Sequence, residues 1–158
     1  MLEAYTEALN ALEQSGLGHL ARHSAYAFTI ANVLHVLGSG LLVGAIAVFD
    51  VSLIARRFED AARIGRFALP LAAGGLALQV PTGFVLLAAE ARALGVNPAF
   101  YAKAGFIALG LANVALFHAR FGASVRAGLV HAGARSLAFV SLGAWVLALA
   151  AGRMIAYL

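Results

Sequence analysis

Four polar residues of one apolar stretch, Asn32, His35, Ser39 and Asp50, fall within about a 60° arc at 100° per helical residue. Three further apolar stretches carry Gln79 and Thr82, then Asn113 and His118, then Ser141, Trp145 and Arg153. Polar side chains in apolar helices are expensive in hydrocarbon and mark interiors, pathways or sites. Asn32, Ser39, Asp50, Gln79 and Asn113 therefore read as an interior polar path. His35 and His118 are the imidazoles able to ligate a metal or a haem iron. Lys103 and Arg153 are cations placed to meet the acidic groups of a haem or the oxygens of a quinone. His35, His118, Lys103 and Arg153 are thus the candidate cofactor-binding residues, with haem b or a quinone the candidate cofactor.

Depth weighs against pairing the two histidines. Two axial ligands must lie level, and helical rise separates His35 from His118 by about 15–20 Å. The alternative for each is a neutral imidazole hydrogen-bonded to a neighbouring carbonyl or hydroxyl. His19 and His23 share a helical face at i, i+4, but two ligands do not close a metal site, and His131 falls at the opposite end. Asp50 is expected to pair with Arg56, Arg57 or His118, to face loop water, or to relay protons. Arg153 is expected to snorkel or to meet Glu90.

The elements that hold these residues follow from charge and hydropathy. Of 158 residues, 63 % are hydrophobic and 11 % charged, and mean hydropathy is +0.91. Soluble domains carry about a quarter charged residues, so an ordinary soluble enzyme, a disordered chain and a nucleic-acid binder are excluded. The chain has no cysteine, which removes disulfides, thiolate metal sites and iron–sulfur clusters. About 20 residues cross the hydrocarbon as a helix, and helices satisfy their own backbone there. The fold class is all-α, an integral membrane four-helix bundle in a single domain, with spans over about 24–55, 66–90, 98–120 and 133–157. A short amphipathic interfacial helix precedes them over about 2–15, where Leu2, Tyr5, Leu9 and Leu12 recur at helical spacing. The start, with Glu3 and Glu7, is unlike a signal peptide.

Asn97-Pro98 suits a helix start, Asn as N-cap and Pro in the first turn. Pro81 is expected to kink span two. Gly40 and Gly44, and Gly74-Gly75, are expected to allow close helix approach. Seven of eleven basic residues (Arg56, Arg57, Arg63, Arg66, Arg120, Arg126, Arg135) fall on one side. The positive-inside rule then puts both termini outside, periplasmic in a Gram-negative inner membrane.

Leu34-His35-Val36-Leu37-Gly38 followed by Gly44 and Asp50, Pro81-Thr82-Gly83, Asn97-Pro98…Lys103, Asn113…Phe117-His118 and Gly152-Arg153…Tyr157 resemble a bacterial family of four-helix inner-membrane proteins without an assigned activity. The first span is distantly similar to those of copper-resistance D proteins and small cytochrome b bundles. The chain departs from the former in having only Met1 and Met154, and from the latter in lacking level histidines. Three functions remain open: electron transfer with haem b or quinone, a transporter or proton/metal conduit, and an accessory subunit in a homo-oligomer or larger membrane complex. No nucleophile–base set or phosphate loop supports hydrolase or kinase chemistry.

Overall fold

The computed structural model describes residues 2–129 and 132–158; His131 lies outside them. Helix α1 (Leu2–Gln14) leads to α2 (Gly16–His23) and the long α3 (Ala27–Ile54), α4 (Phe58–Ala89), the single turn α5 (Ala91–Leu94), α6 (Pro98–Arg126) and α7 (Ala134–Met154), closed by a 3₁₀ turn, Ile155–Tyr157. Helices α3, α4, α6 and α7 hold 28, 32, 29 and 21 residues and are apolar enough to cross a membrane. No strand occurs among the described residues. The protein is an all-α membrane bundle of four spans.

Two spans run past their expected charged limits. Helix α4 starts at Phe58 rather than near 66, and α6 continues to Arg126 rather than 120. Charge did not stop α4 because it is placed on one side. Glu59 and Asp60 sit in its first turn, where the helix dipole favours acids. Arg63 and Arg66 are exposed, while Ala61, Ala62 and Gly65 are buried. In α6 the added turns bury Gly122 and Val125. Helix α4 stays helical through Pro70 and Pro81.

Helix α3 is the centre of the bundle. It packs most extensively on α4 and next on α7; α7 packs on α6, and α4 and α6 touch only lightly. The core is built from Leu42, Ile46, Phe49 and Leu53 of α3, small residues of α4, Phe117 of α6 and Trp145 of α7. The remaining apolar surface is exposed, including Val33, Val36, Phe67, Val80, Leu109 and Leu147. Such a girdle is stable only against lipid.

The tightest joint bears out the glycine expectation at Gly75 and corrects it at Gly40, Gly44 and Gly74. A Cβ on Gly75 would lie 2.6 Å from the Leu42 nitrogen, and one on Gly38 would lie 2.9 Å from the Gly75 oxygen. Gly40, Gly44 and Gly74 face open space. Gly38 shares the inward face with Leu42, Ala45 and Phe49, whereas Gly40 lies about 200° away at 100° per residue.

At the end carrying the termini, here the terminal end, α1 and α2 lie over the loop between α4 and α6. The stretch between the interfacial helix and span one is helical, because Ser15 caps it: its Oγ accepts from Gly18 N at 3.2 Å. Arg22 donates to the Ala89 carbonyl at 3.1 Å and to that of Glu13, fastening α2 to the end of α4. Asn97 caps α6 as expected, accepting from Ala99 N at 2.9 Å and Phe100 N at 3.3 Å.

Tyr5 and Tyr101 hydroxyls bond at 2.7 Å, and Tyr101 donates to the Gly95 carbonyl. The hydrogen bond to Tyr101 raises the Tyr5 titration, with desolvation and the neighbouring phenol acting in the same direction. A raised folded-state value means that the contact contributes fully below the usual tyrosine range. That contribution is lost as pH rises through the folded value. Alkaline pH is therefore expected to release α1, seen as faster proteolytic clipping before Ser15, and Tyr5→Phe should remove this pH step.

Candidate functional site

The strongest polar cluster lies in the terminal half of the bundle, where α3, α4, α6 and α7 converge. His35 is eight residues into α3, about 12 Å along it. Its Nδ1 is 3.1 Å from Thr82 Oγ1 on α4, and its Nε2 is 3.4 Å from Lys103 Nζ on α6. Thr82 Oγ1 also donates to the Leu78 carbonyl at 2.7 Å. A hydroxyl has one proton, so Thr82 accepts from His35 Nδ1–H. The Nε2 lone pair is then left to accept from the Lys103 ammonium. The opposite tautomer would set an N–H of His35 against an N–H of lysine. Ser39 donates to the His35 carbonyl at 2.9 Å, and Gln79 Nε2 donates to Ser39 Oγ.

Two glycines make room for this arrangement. A Cβ on Gly83 would stand 3.0 Å from His35 Cε1, and one on Gly152 would stand 3.3 Å from Lys103 Nζ. Lys103 thus reaches past α7 to a histidine on the helix diagonally opposite. His35, Ser39, Gln79 and Lys103 are all half-buried. The cluster therefore has an edge at the surface of the bundle rather than a closed chamber. No ion pair involving Lys103 occurs among the described residues, and its ammonium has donors beyond the one given to His35.

The other expected site residues fall elsewhere. His118 is exposed, its Nδ1 bonded to the Val114 carbonyl at 2.9 Å. It lies eight residues from the opposite end of α6, so it does not stand level with His35. Arg153 is exposed and lies over the Tyr157 ring at 5.6 Å. Asn32 is exposed and does not join the interior residues. Around it α3 buries only Ala31, whereas toward Asp50 it is wedged between neighbours and buries a broad face. His19 and His23 stack at 4.0 Å, and no cluster of three or more metal-ligating groups occurs among the described residues.

Asp50 and Asn113 are buried. Asn113 donates to the Leu137 carbonyl at 3.1 Å, joining α6 to α7. Asp50 does not meet Arg56 or Arg57, which are exposed on the turn after α3. His118 and Asp50 share the walls of one cavity. Between Ser39 and Asp50, α3 buries Leu42, Ala45, Ile46 and Phe49. The polar residues form two clusters separated by an apolar layer, not one path.

The residues present do not fit a bis-histidine haem. His35 turns its Nε2 to Lys103 and its ring against Gly83, and His118 is at another depth on the outer surface. Thr82, a polar residue of span two that was not among the expected site residues, completes the His35 site together with Gly83 and Gly152. The usable signal was Thr82 at i+3 from Gln79, at the depth of His35. Searches against family models, curated proteins and solved structures find no match to this chain, so a functional reading rests on the geometry of this cluster.

Proposed function

We propose that the protein is a bacterial inner-membrane quinone-binding protein, with both termini periplasmic and the two Arg-rich turns cytoplasmic. One observation carries this reading: within the four-helix bundle, a half-buried lysine amine with no counter-ion among the described residues lies beside a histidine of fixed tautomer. An intramembrane ionisable residue costs several kcal/mol and invites a ligand that uses it. A lipid-soluble ligand enters laterally from the bilayer, and an oxygen acceptor on it matches the spare donors of Lys103. A quinone supplies two carbonyl oxygens that take up electrons and protons. Lys103 donates to such an oxygen and offsets negative charge there. His35 holds its proton at Nδ1 against Thr82, and its Nε2 is the acceptor that exchanges protons with Lys103. Gln79 and Ser39 fix the His35 turn of α3. The seven basic residues of the two turns against four at the other end support the orientation.

The apolar layer between Ser39 and Asp50 speaks against a continuous conduit. The test is extraction in mild detergent followed by quinone analysis. The expected result is quinone co-purifying in stoichiometric amount, with no Soret band. Protein that carries none and fails to bind an added ubiquinone analogue would reject the reading.

A further inference from the structure

A second site lies toward the opposite end of the bundle, away from Lys103 and independent of the quinone reading. A partly open cavity of about 160 Å³ lies between α3, α4, α6 and α7. Its walls are mostly apolar, but Asp50 and Trp145 open into it, each only 3 % exposed. Asp50 Oδ2 and Trp145 Nε1 are both buried without a hydrogen-bond partner. Leaving a carboxylate oxygen unmatched is costly, so the cavity is poised for a donor that satisfies Asp50.

We propose that this cavity binds a small organic ammonium cation. A cation with N–H donors satisfies the Asp50 carboxylate. Phe49, Phe117 and Trp145 line the same space and offer the aromatic surface that attracts such cations. No basic side chain among the described residues fulfils this role. Arg56 and Arg57 are exposed. Arg135 lies over the exposed Phe139 ring at 5.5 Å and is not part of the cavity wall. His118, the remaining titratable group of the wall, gives its Nδ1 to the Val114 carbonyl. A single water could bridge one orphaned pair, but the volume far exceeds the roughly 10–15 Å³ that one water needs. Apolar walls disfavour a water cluster. A cavity of about 150 Å³ takes a benzene-sized body, so an ammonium on a ring or short chain suits it. The light contact between α4 and α6 leaves a seam from the bilayer.

Trp145 is the sole tryptophan, so its fluorescence reports this cavity alone. The full chain in nanodiscs of neutral lipid is titrated with benzylammonium and, in parallel, with benzyl alcohol. Benzylammonium is expected to change Trp145 emission saturably. The alcohol, and benzylammonium with Asp50→Asn, should bind about ten- to a hundredfold more weakly, the loss of a hydrogen bond to a charged group. Equal affinity for the alcohol, full affinity in Asp50→Asn, or no saturable change would overturn the proposal. The comparison of cation with alcohol needs no variant, so it stands even where Asp50→Asn does not fold.

Discussion

Gly75→Ala is expected to destabilise the bundle by about 3 kcal/mol, near the upper end for overpacking. The added methyl would meet backbone atoms of the partner helix, the Leu42 nitrogen at 2.6 Å and the Gly38 oxygen at 2.8 Å. A side chain can rotate away; a backbone in a helix cannot. Helices α3 and α4 would have to separate, and the Gln79–Ser39 and His35–Thr82 contacts cross that same joint. Loss of stability should therefore come with loss of quinone binding. Gly74→Ala is the control. Its Cβ meets open space, and in a helix interior alanine is favoured over glycine by up to about 1 kcal/mol. Thermal unfolding in mild detergent checks both. A Gly75→Ala protein as stable as the parent would show that α3 and α4 do not approach this closely.

Lys103→Met is expected to separate function from fold. Methionine keeps an unbranched stem that fits beside Gly152. It deletes an ammonium that has no carboxylate partner, so stability should hold or rise, because an uncompensated charge no longer has to be desolvated. Affinity for a ubiquinone analogue should fall about ten- to a hundredfold, the value of a hydrogen bond to a charged group. Lys103→Arg should not rescue binding. A guanidinium is a planar fork rather than a compact point charge, and the slot beside Gly152 is so narrow that even a Cβ added there would lie 3.3 Å from the Lys103 amine. A Lys103→Met protein that loses stability and keeps quinone affinity would make the lysine a structural residue.

The spans and the Asn97 cap were legible because each rests on local chemistry: apolar length, a side-chain acceptor, a proline in the first turn. The central pair was legible in part, since His35 and Lys103 stood out as polar groups at the terminal end. Their contact was not. It depends on α6 lying diagonally across from α3 and on Gly152 leaving space, and neither is written in a local pattern. The interior stripe failed at Asn32 for a related reason. A helical arc fixes which residues share a side, but the width of the buried side changes along α3. Near Asn32 only Ala31 is covered; near Asp50 the helix is wedged between α4 and α7. The glycines show the same limit. Gly40 and Gly44 have the spacing for close packing, yet Gly38 and Gly75 make the contact, because facing is set by the partner helix.

The most direct measurement is photolabelling of the protein in lipid bilayers with an azido-quinone, the adducts mapped by mass spectrometry. Adducts confined to the segments around His35 on α3 and Lys103 on α6, and displaced by unlabelled quinone, are the result this account predicts. Adducts spread along the lipid-facing surface, or gathered at the Asp50 cavity and unaffected by competitor, would contradict it.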